Sequence, residues 1–355
     1  MLPMKSKIPF FFCLLATTAV FAAAQQPTGL GLASGQRYAT DAYPGFDNED
    51  EILKPEKKTP RWFAFINGPK MSDPASQFAW AKACAADGSW AKARRAYDAL
   101  VREWPASPEA PLAQRAMADI LLEKEFDYEE AFAEYRYLLD FFSAVCDYCE
   151  IATLMYKVAG LMRQEGKTIV FFRFKNTVDV RRAYESLVLR SPGASFTPAA
   201  MLTIAELREE ESRPEEAVKV YENLLNLHPG TPEAKRAYHE EARVRMELLE
   251  AHGYNRMRAL DTIGFLKQAL RAGLSEDADR DFRAWLGEAE ALVEEEAFRS
   301  AKFYDSRMRT RRSAVNSYRQ FILDYPNGPH AEEARERLAE LTAEEEKTRV
   351  QEEAK

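Results

Sequence analysis

One spacing recurs along this 355-residue chain and restricts its fold more than any other feature. It consists of a tyrosine, apolar residues three and four positions later, and a proline eight positions after the tyrosine. Four copies carry it in full: Tyr97, Leu100, Val101, Pro105; Tyr184, Leu187, Val188, Pro192; Tyr221, Leu224, Leu225, Pro229; and Tyr318, Phe321, Ile322, Pro326. A fifth, Tyr135, Leu138, Leu139, has Ser143 where the proline would stand. Four positions before the tyrosines stand Ala93, Ala131, Val180, Ala217 and Ala314. Residues three and four apart share one face of an α-helix, and proline cannot continue a helix. Each copy therefore predicts a helix with a small residue, an aromatic ring one turn on and a branched residue another turn on, ending at its proline. The small residue lets a partner helix approach closely.

After Pro105, Pro229 and Pro326 a second proline follows three residues later, at Pro108, Pro232 and Pro329. In the first two cases Ser107 or Thr231 precedes it, which predicts an N-cap followed by proline at the first helical position. One helix closes and the next opens almost at once. Successive tyrosines lie 38, 49, 37 and 97 residues apart. The first and third intervals are near the period of helix-turn-helix repeats, and the last leaves room for a degenerate unit between Tyr221 and Tyr318.

From Ser76 onward the chain is rich in Ala, Leu, Glu and Arg with apolar residues at helical intervals. Before it, residues 25–74 carry Pro27, Gly29, Gly31, Gly35, Pro44, Gly45, Pro55, Pro60, Gly68, Pro69 and Pro74, which break every candidate helix and predict an extended linker. Within it, the apolar stretch from Arg61 to Ile66 predicts a short strand-like contact with the following domain. At the start, Lys5 and Lys7 precede an apolar run from Ile8 to Phe21 and the small residues Ala22, Ala23 and Ala24, the pattern of a secretory signal peptide over 1–24. That run is shorter than the roughly 20 residues that span a bilayer. Cys13 sits in mid-run after three phenylalanines, unlike a lipid-acceptor cysteine. Four cysteines are too few for a disulfide scaffold, and the net charge of −8, or −10 once Lys5 and Lys7 are removed, argues against nucleic acid and anionic membrane surfaces as partners. The expected partners are proteins.

The repeated positions resemble the tetratricopeptide repeat. Gly88, Trp90, Ala93, Tyr97 and Pro105 fall at that family's turn glycine, aromatic, small, aromatic and closing-proline positions. Tyr128, Ala131 and Tyr135 match three of these, whereas Pro214 and Arg311 replace the turn aromatic in the last two copies. Over about residues 76–342 the chain is more closely similar to the outer-membrane assembly lipoprotein BamD family. The resemblance is carried by Glu296, Ala297 and Phe298, the run Ala301-Lys302-Phe303-Tyr304, then Ala314, Tyr318, Phe321, the run Asp324-Tyr325-Pro326, and Glu333-Ala334. The Gly166-Lys167 segment leading into Ala183-Tyr184 is similar to an insertion in relatives of that family. The resemblance implies a periplasmic scaffold, usually lipid-anchored, that helps a barrel-insertion machine fold outer-membrane proteins. The missing lipid-acceptor cysteine sets this chain apart from that pattern.

Little in the sequence points to chemistry. Cys146 and Cys149 are spaced for a redox or metal pair, but no second pair accompanies them and His228, His239, His252 and His330 lie in remote segments. His239 and Glu240 begin a metallopeptidase-like motif that Arg243 breaks, since a second histidine is required there. Glu209 to Glu211 and Glu294 to Glu296 read as solvated helix faces in so acidic a chain. The exception to the charge trend is the basic run Arg299, Lys302, Arg307, Arg309, Arg311 and Arg312. It suits an acidic partner or lipid phosphates, or it neutralises Glu288 and Glu294 to Glu296 within the protein.

The expectation is an all-α, tetratricopeptide-like helix-turn-helix solenoid of about five repeats. It comprises a signal peptide (1–24), an extended linker (25–74), the repeat domain (75–345) and a charged tail (346–355). Its expected role is that of a non-catalytic exported scaffold, without cofactor or metal, that binds envelope proteins such as a β-barrel assembly core protein, with outer-membrane association. The alternatives are a periplasmic adaptor of cell division or peptidoglycan synthesis and, more remotely, a helical-toroid enzyme. Ala93, Tyr97, Pro105, Ala131, Tyr135, Tyr184, Pro192, Ala217, Tyr221, Pro229, Ala314, Tyr318 and Pro326 are assigned to repeat packing, and Arg307, Arg309, Arg311 and Arg312 to partner binding.

Overall fold

The computed structural model describes residues 43–47, 57–58, 68–165, 167–169, 172–174, 177–251, 255–306 and 311–353. The signal segment, Cys13 and the apolar stretch 61–66 lie outside them. Thirteen α-helices occupy the described residues: α1 (Pro74–Ala86), α2 (Trp90–Glu103), α3 (Glu109–Ile120), α4 (Tyr128–Phe142), α5 (Tyr148–Glu165), α6 (Thr177–Arg190), α7 (Thr197–Glu210), α8 (Pro214–Leu227), α9 (Pro232–Ala251), α10 (Arg256–Ala272), α11 (Glu276–Asp305), α12 (Arg311–Asp324) and α13 (Ala331–Glu353). The last of these passes residue 345 without a break. Two three-residue strands, β1 (Lys167–Ile169) and β2 (Phe172–Phe174), pair antiparallel between α5 and α6, within the segment likened to an insertion.

Each helix packs on the next along the chain, and α1 also touches α3, α7 touches α9 and α9 touches α11. Contacts between neighbours in sequence are the mark of a solenoid, in which each helix pair buries its apolar stripe against the pair beside it. The described residues form six pairs, α1/α2 through α11/α12, with α13 packed on the last. The repeat residues form the shared core: Ala93, Ala131, Ala217 and Ala314 are wholly buried, and so, within a few per cent, are Tyr97, Tyr135, Tyr184, Tyr221 and Tyr318. One apolar cluster runs from Ala81 to Val293 and a second from Phe298 to Leu341, so the long α11 joins them.

The unit between Tyr221 and Tyr318 is α9/α10. On α10, Leu266 takes the place of the tyrosine and Thr262 that of the alanine, both fully buried, and the helix ends at Gly273 in the left-handed conformation in place of a proline. Elsewhere the prolines behave as steric stops. Pro105, Pro192, Pro229 and Pro326 are exposed and stand two residues beyond the last helical residue of α2, α6, α8 and α12, because a residue preceding proline is disfavoured in the α region.

The turns within three pairs share one geometry. Ser89 N–H donates to the Cys84 carbonyl and Arg213 N–H to Arg208, each spanning six residues, and Asp127 N–H to Leu121, spanning seven, around a left-handed residue at Gly88, Ser212 or Phe126. Pro214, which replaces the turn aromatic, therefore follows the same kind of turn as Trp90. The N-cap expectation divides. Thr231 Oγ1 accepts from Ala234 N–H at 3.2 Å. Ser107 does not cap: its hydroxyl is buried without a hydrogen-bond partner and its carbonyl accepts from Ala110, because Pro108 already has helical dihedrals and draws the helix start past the serine.

Candidate binding surface

The repeat tyrosines are polar anchors as well as core rings. Tyr221 Oη donates to Glu209 Oε1 at 2.7 Å, and Glu209 accepts from Arg243 Nη2 on α9 at 2.6 Å. Tyr318 Oη lies 3.3 Å from Asp305 Oδ2, which Arg337 on α13 holds at 2.7 Å. Tyr135 Oη donates to Asp119 Oδ1 at 2.5 Å, and Asp119 is also paired with Arg115, which reaches Glu150 on α5. In each case a tyrosine on a pair's second helix bonds a carboxylate on or beside the first, and an arginine passes the link to the following helix or pair. Burial, joined by the nearby carboxylate, raises the tyrosine pKa in all three, to about 12 for Tyr318.

This corrects the reading of the glutamate runs as solvated faces at Glu209, Glu211 and Glu294, while Glu210 is exposed as expected. Glu211 is 6% exposed and bonded to Arg181, Glu209 joins Tyr221 to Arg243, and Glu294 is buried against Gly328. Buried carboxylates need partners, and helices α6 and α9 supply the arginines for the first two.

The densest charged site lies where α6, α7 and α8 meet. Arg181 and Arg208 are almost completely buried. Arg181 reaches Glu185 at 2.7 Å and Glu211 at 2.8 Å, while Arg208 reaches Glu185 at 3.2 Å and Glu216 at 2.8 Å. Into this cluster comes Asp47 from the segment read as a linker. Its carboxylate takes Arg181 at 3.2 Å, Arg208 at 3.0 Å and Arg182 at 3.1 Å. Burial works to raise the Asp47 pKa, but the three guanidinium bonds outweigh it and hold the carboxyl at about 2. Burial has the upper hand at Glu185, which it pushes up to about 7 against the pull of the same arginines.

Residues 43–46 shape the approach. Phe46 N–H donates to the Tyr43 carbonyl at 3.2 Å, and Gly45 has φ +92°, so Pro44-Gly45 forms a type II turn. The Tyr43 and Phe46 rings stack at 5.1 Å against the core, and Asn223 donates to the Pro44 carbonyl at 2.9 Å. A Cβ on Gly45 would come within 2.8 Å of the Glu216 carbonyl oxygen. The segment touches the array twice more. Lys58 Nζ reaches Glu134 at 2.5 Å and Asp98 at 3.5 Å, and the N–H groups of Lys70 and Met71 donate to Gln77 Oε1. Sequence reasoning missed Asp47. The Pro-Gly dipeptide was a legible turn signal, but its landing place, 134 residues from Arg181, was not.

Of the basic run, Arg307 and Arg309 lie outside the described residues and the Arg311 side chain is not described, while Arg312 is exposed. Arg299 bonds to Glu296, and Lys302 pairs with Glu333 at 2.7 Å and covers the Phe298 ring at 4.6 Å. These two neutralise acids of the protein itself. Cys146 and Cys149 are both free, but they do not share a helix face: Cys146 precedes α5 in the loop, and Asp147 between them accepts from Glu150 N–H and starts the helix. Among the described residues no three His, Cys, Asp or Glu side chains are grouped to hold a metal, and no helix is long and apolar enough to cross a membrane. A cavity of about 230 Å³ lies between α4, α5 and α6, with Phe132, Met162 and Arg182 among its lining residues.

Residues 199–231, spanning α7 and α8, match the family model described as tetratricopeptide repeat. No curated protein matches the chain. Solved structures it is similar to include a tetratricopeptide repeat protein from Parabacteroides merdae, 14% identical, covering 76% of this chain and 98% of that one with a TM-score of 0.28. Pseudomonas aeruginosa pilF is likewise 14% identical, with 74% and 97% covered and a TM-score of 0.28. The Naa15/Naa10 complex bound to HypK is 15% identical, with 73% of this chain but 43% of that one covered and a TM-score of 0.26. By its own helix pairs and the match at residues 199–231, the chain is a tetratricopeptide-like helical solenoid.

Proposed function

We propose that this chain is a non-catalytic scaffold of the cell envelope that binds other envelope proteins and serves the assembly of outer-membrane β-barrel proteins. The observation that carries the scaffold reading is the serial stacking of six helix pairs, which bury one another and leave long helix faces for extended segments of other proteins. The export signal over 1–24 and the similarity of residues 76–342 to the BamD family support the place and the task. The basic residues Arg307, Arg309, Arg311 and Arg312 are proposed as one partner contact.

Affinity purification of the mature chain from envelope extracts tests the reading. Recovery of a barrel-assembly core protein supports it, and recovery of division proteins in its place refutes it. Changing Arg309, Arg311 and Arg312 to Glu should weaken that capture at low salt. Unchanged capture by the folded variant removes the basic run from the interface.

A further inference from the structure

The Asp47 site is more than a clasp. We propose that Arg181 and Arg208 form a receptor for the carboxylate of an acidic segment in a partner protein, and that residues 43–47 occupy it as an exchangeable internal ligand. This deepens the scaffold reading by giving the chemistry of one docked segment, and it rests on that reading for the partner's existence.

Three observations carry it. The arginines are held without Asp47: Glu185 lies within 3.2 Å of both, and Glu211 is 2.8 Å from Arg181, so the forks are already oriented when the aspartate leaves. Guanidinium forks in a fixed, buried setting recognise carboxylates by two parallel bonds, with specificity that a flexible lysine lacks. Second, three guanidinium groups converge on the one carboxylate, since Arg182 adds a bond at 3.1 Å to those from Arg181 and Arg208. Third, the occupant is a compact motif and not a length of secondary structure. It has two stacked aromatic rings, a Pro-Gly turn pressed on the α8 backbone, one backbone bond from Asn223 and the terminal carboxylate. Such a motif is portable between chains. Tethering holds it at a high effective concentration, so a modest intrinsic affinity keeps the site filled until a stronger or more abundant partner segment arrives. The fitting partner segment has an aromatic residue, a Gly turn, a second aromatic and an Asp.

The test uses the full chain and a fluorescent peptide with the sequence of residues 41–48. In a chain carrying Gly45→Ala and Asp47→Asn, whose own segment is disabled, the peptide should bind saturably. It should bind at least tenfold more weakly to the unaltered chain, where the internal segment competes. A peptide with Asn in place of its Asp should lose at least tenfold, and binding should weaken with salt. Independently, excess peptide added to the unaltered chain should speed chymotryptic cleavage after Phe46, which needs no altered protein. Equal binding of the Asp and Asn peptides, or no peptide-dependent change in cleavage, overturns the proposal. So does a dimer of the unaltered chain that Asp47→Asn abolishes, since the site would then belong to a second copy. The measurement uses purified protein, so its failure is distinct from failure to recover an envelope partner.

Discussion

Replacing Tyr221 with Phe removes one oxygen from the centre of the fourth helix pair and leaves the ring in place. Its bond to Glu209 is 2.7 Å long and charge-assisted, a class worth about 1.5–3 kcal/mol. Glu209 would not be stranded, because Arg243 still holds it at 2.6 Å and its side chain is 21% exposed. The expected loss is therefore at the lower end, about 1.5–2 kcal/mol. At Tyr318 the same substitution should cost only about 0.5–1 kcal/mol, since the bond to Asp305 is 3.3 Å and Arg337 already satisfies that carboxylate twice, at 2.7 and 3.0 Å. Stability in a solenoid is local to a unit and its neighbours, so amide hydrogen exchange resolved by helix is the suitable assay. Exchange in α7 and α8 should quicken about ten- to thirtyfold in Tyr221→Phe, while exchange in α12 quickens only two- to fivefold in Tyr318→Phe, roughly tenfold per 1.4 kcal/mol. A change below threefold at Tyr221, or a larger effect at Tyr318, refutes the view that the tyrosine–carboxylate–arginine relay couples adjacent pairs.

Three further outcomes follow from named contacts. Ala217 is wholly buried between helices, so Ala217→Leu should cost about 1–3 kcal/mol by forcing α8 away from its neighbours, and an unaltered melting curve contradicts the close packing. Ser212 is exposed and left-handed at φ 61°, so Ser212→Gly should stabilise the α7/α8 turn by up to about 1 kcal/mol, and any destabilisation would show that the serine side chain contributes more than its strain costs. Burial pushes Glu241 from 4.5 up to about 8 although Arg245 pulls the other way. The folded chain thus holds that proton more tightly than the unfolded one, and this contribution to stability falls as pH rises from about 4.5 through about 8. Glu241→Gln should gain on the unaltered chain by ~1 kcal/mol or more between pH 5 and 8.5 in urea titrations, and a difference constant with pH refutes the shift.

The repeat was legible because it is written in local rules. A small residue, a ring and a branched residue at helical intervals, closed by a proline, dictate a helix with one buried face wherever they occur, and Ala93 to Pro105 or Ala314 to Pro326 needed no knowledge of the rest of the chain. The α9/α10 unit was visible only as a gap, since Leu266 and Thr262 fill the ring and small positions with residues common on any helix. The partnered glutamates of the two runs escaped the sequence for a related reason. Whether Glu211 faces water or Arg181 depends on a helix 30 residues away, and composition is silent about that distance.

Helix identity, the order of the pairs and the burial of the tyrosines were thus determined by the sequence itself, because each follows from contacts within a few turns of the chain. Tertiary structure alone decided that Asp47 lands on Arg181 and Arg208, that Lys58 settles beside Glu134, and that Cys146 stays outside the helix that carries Cys149. A buried charge is tolerable only where its counter-charges converge from separate elements, and such convergence is a property of folded space and not of spacing along the chain.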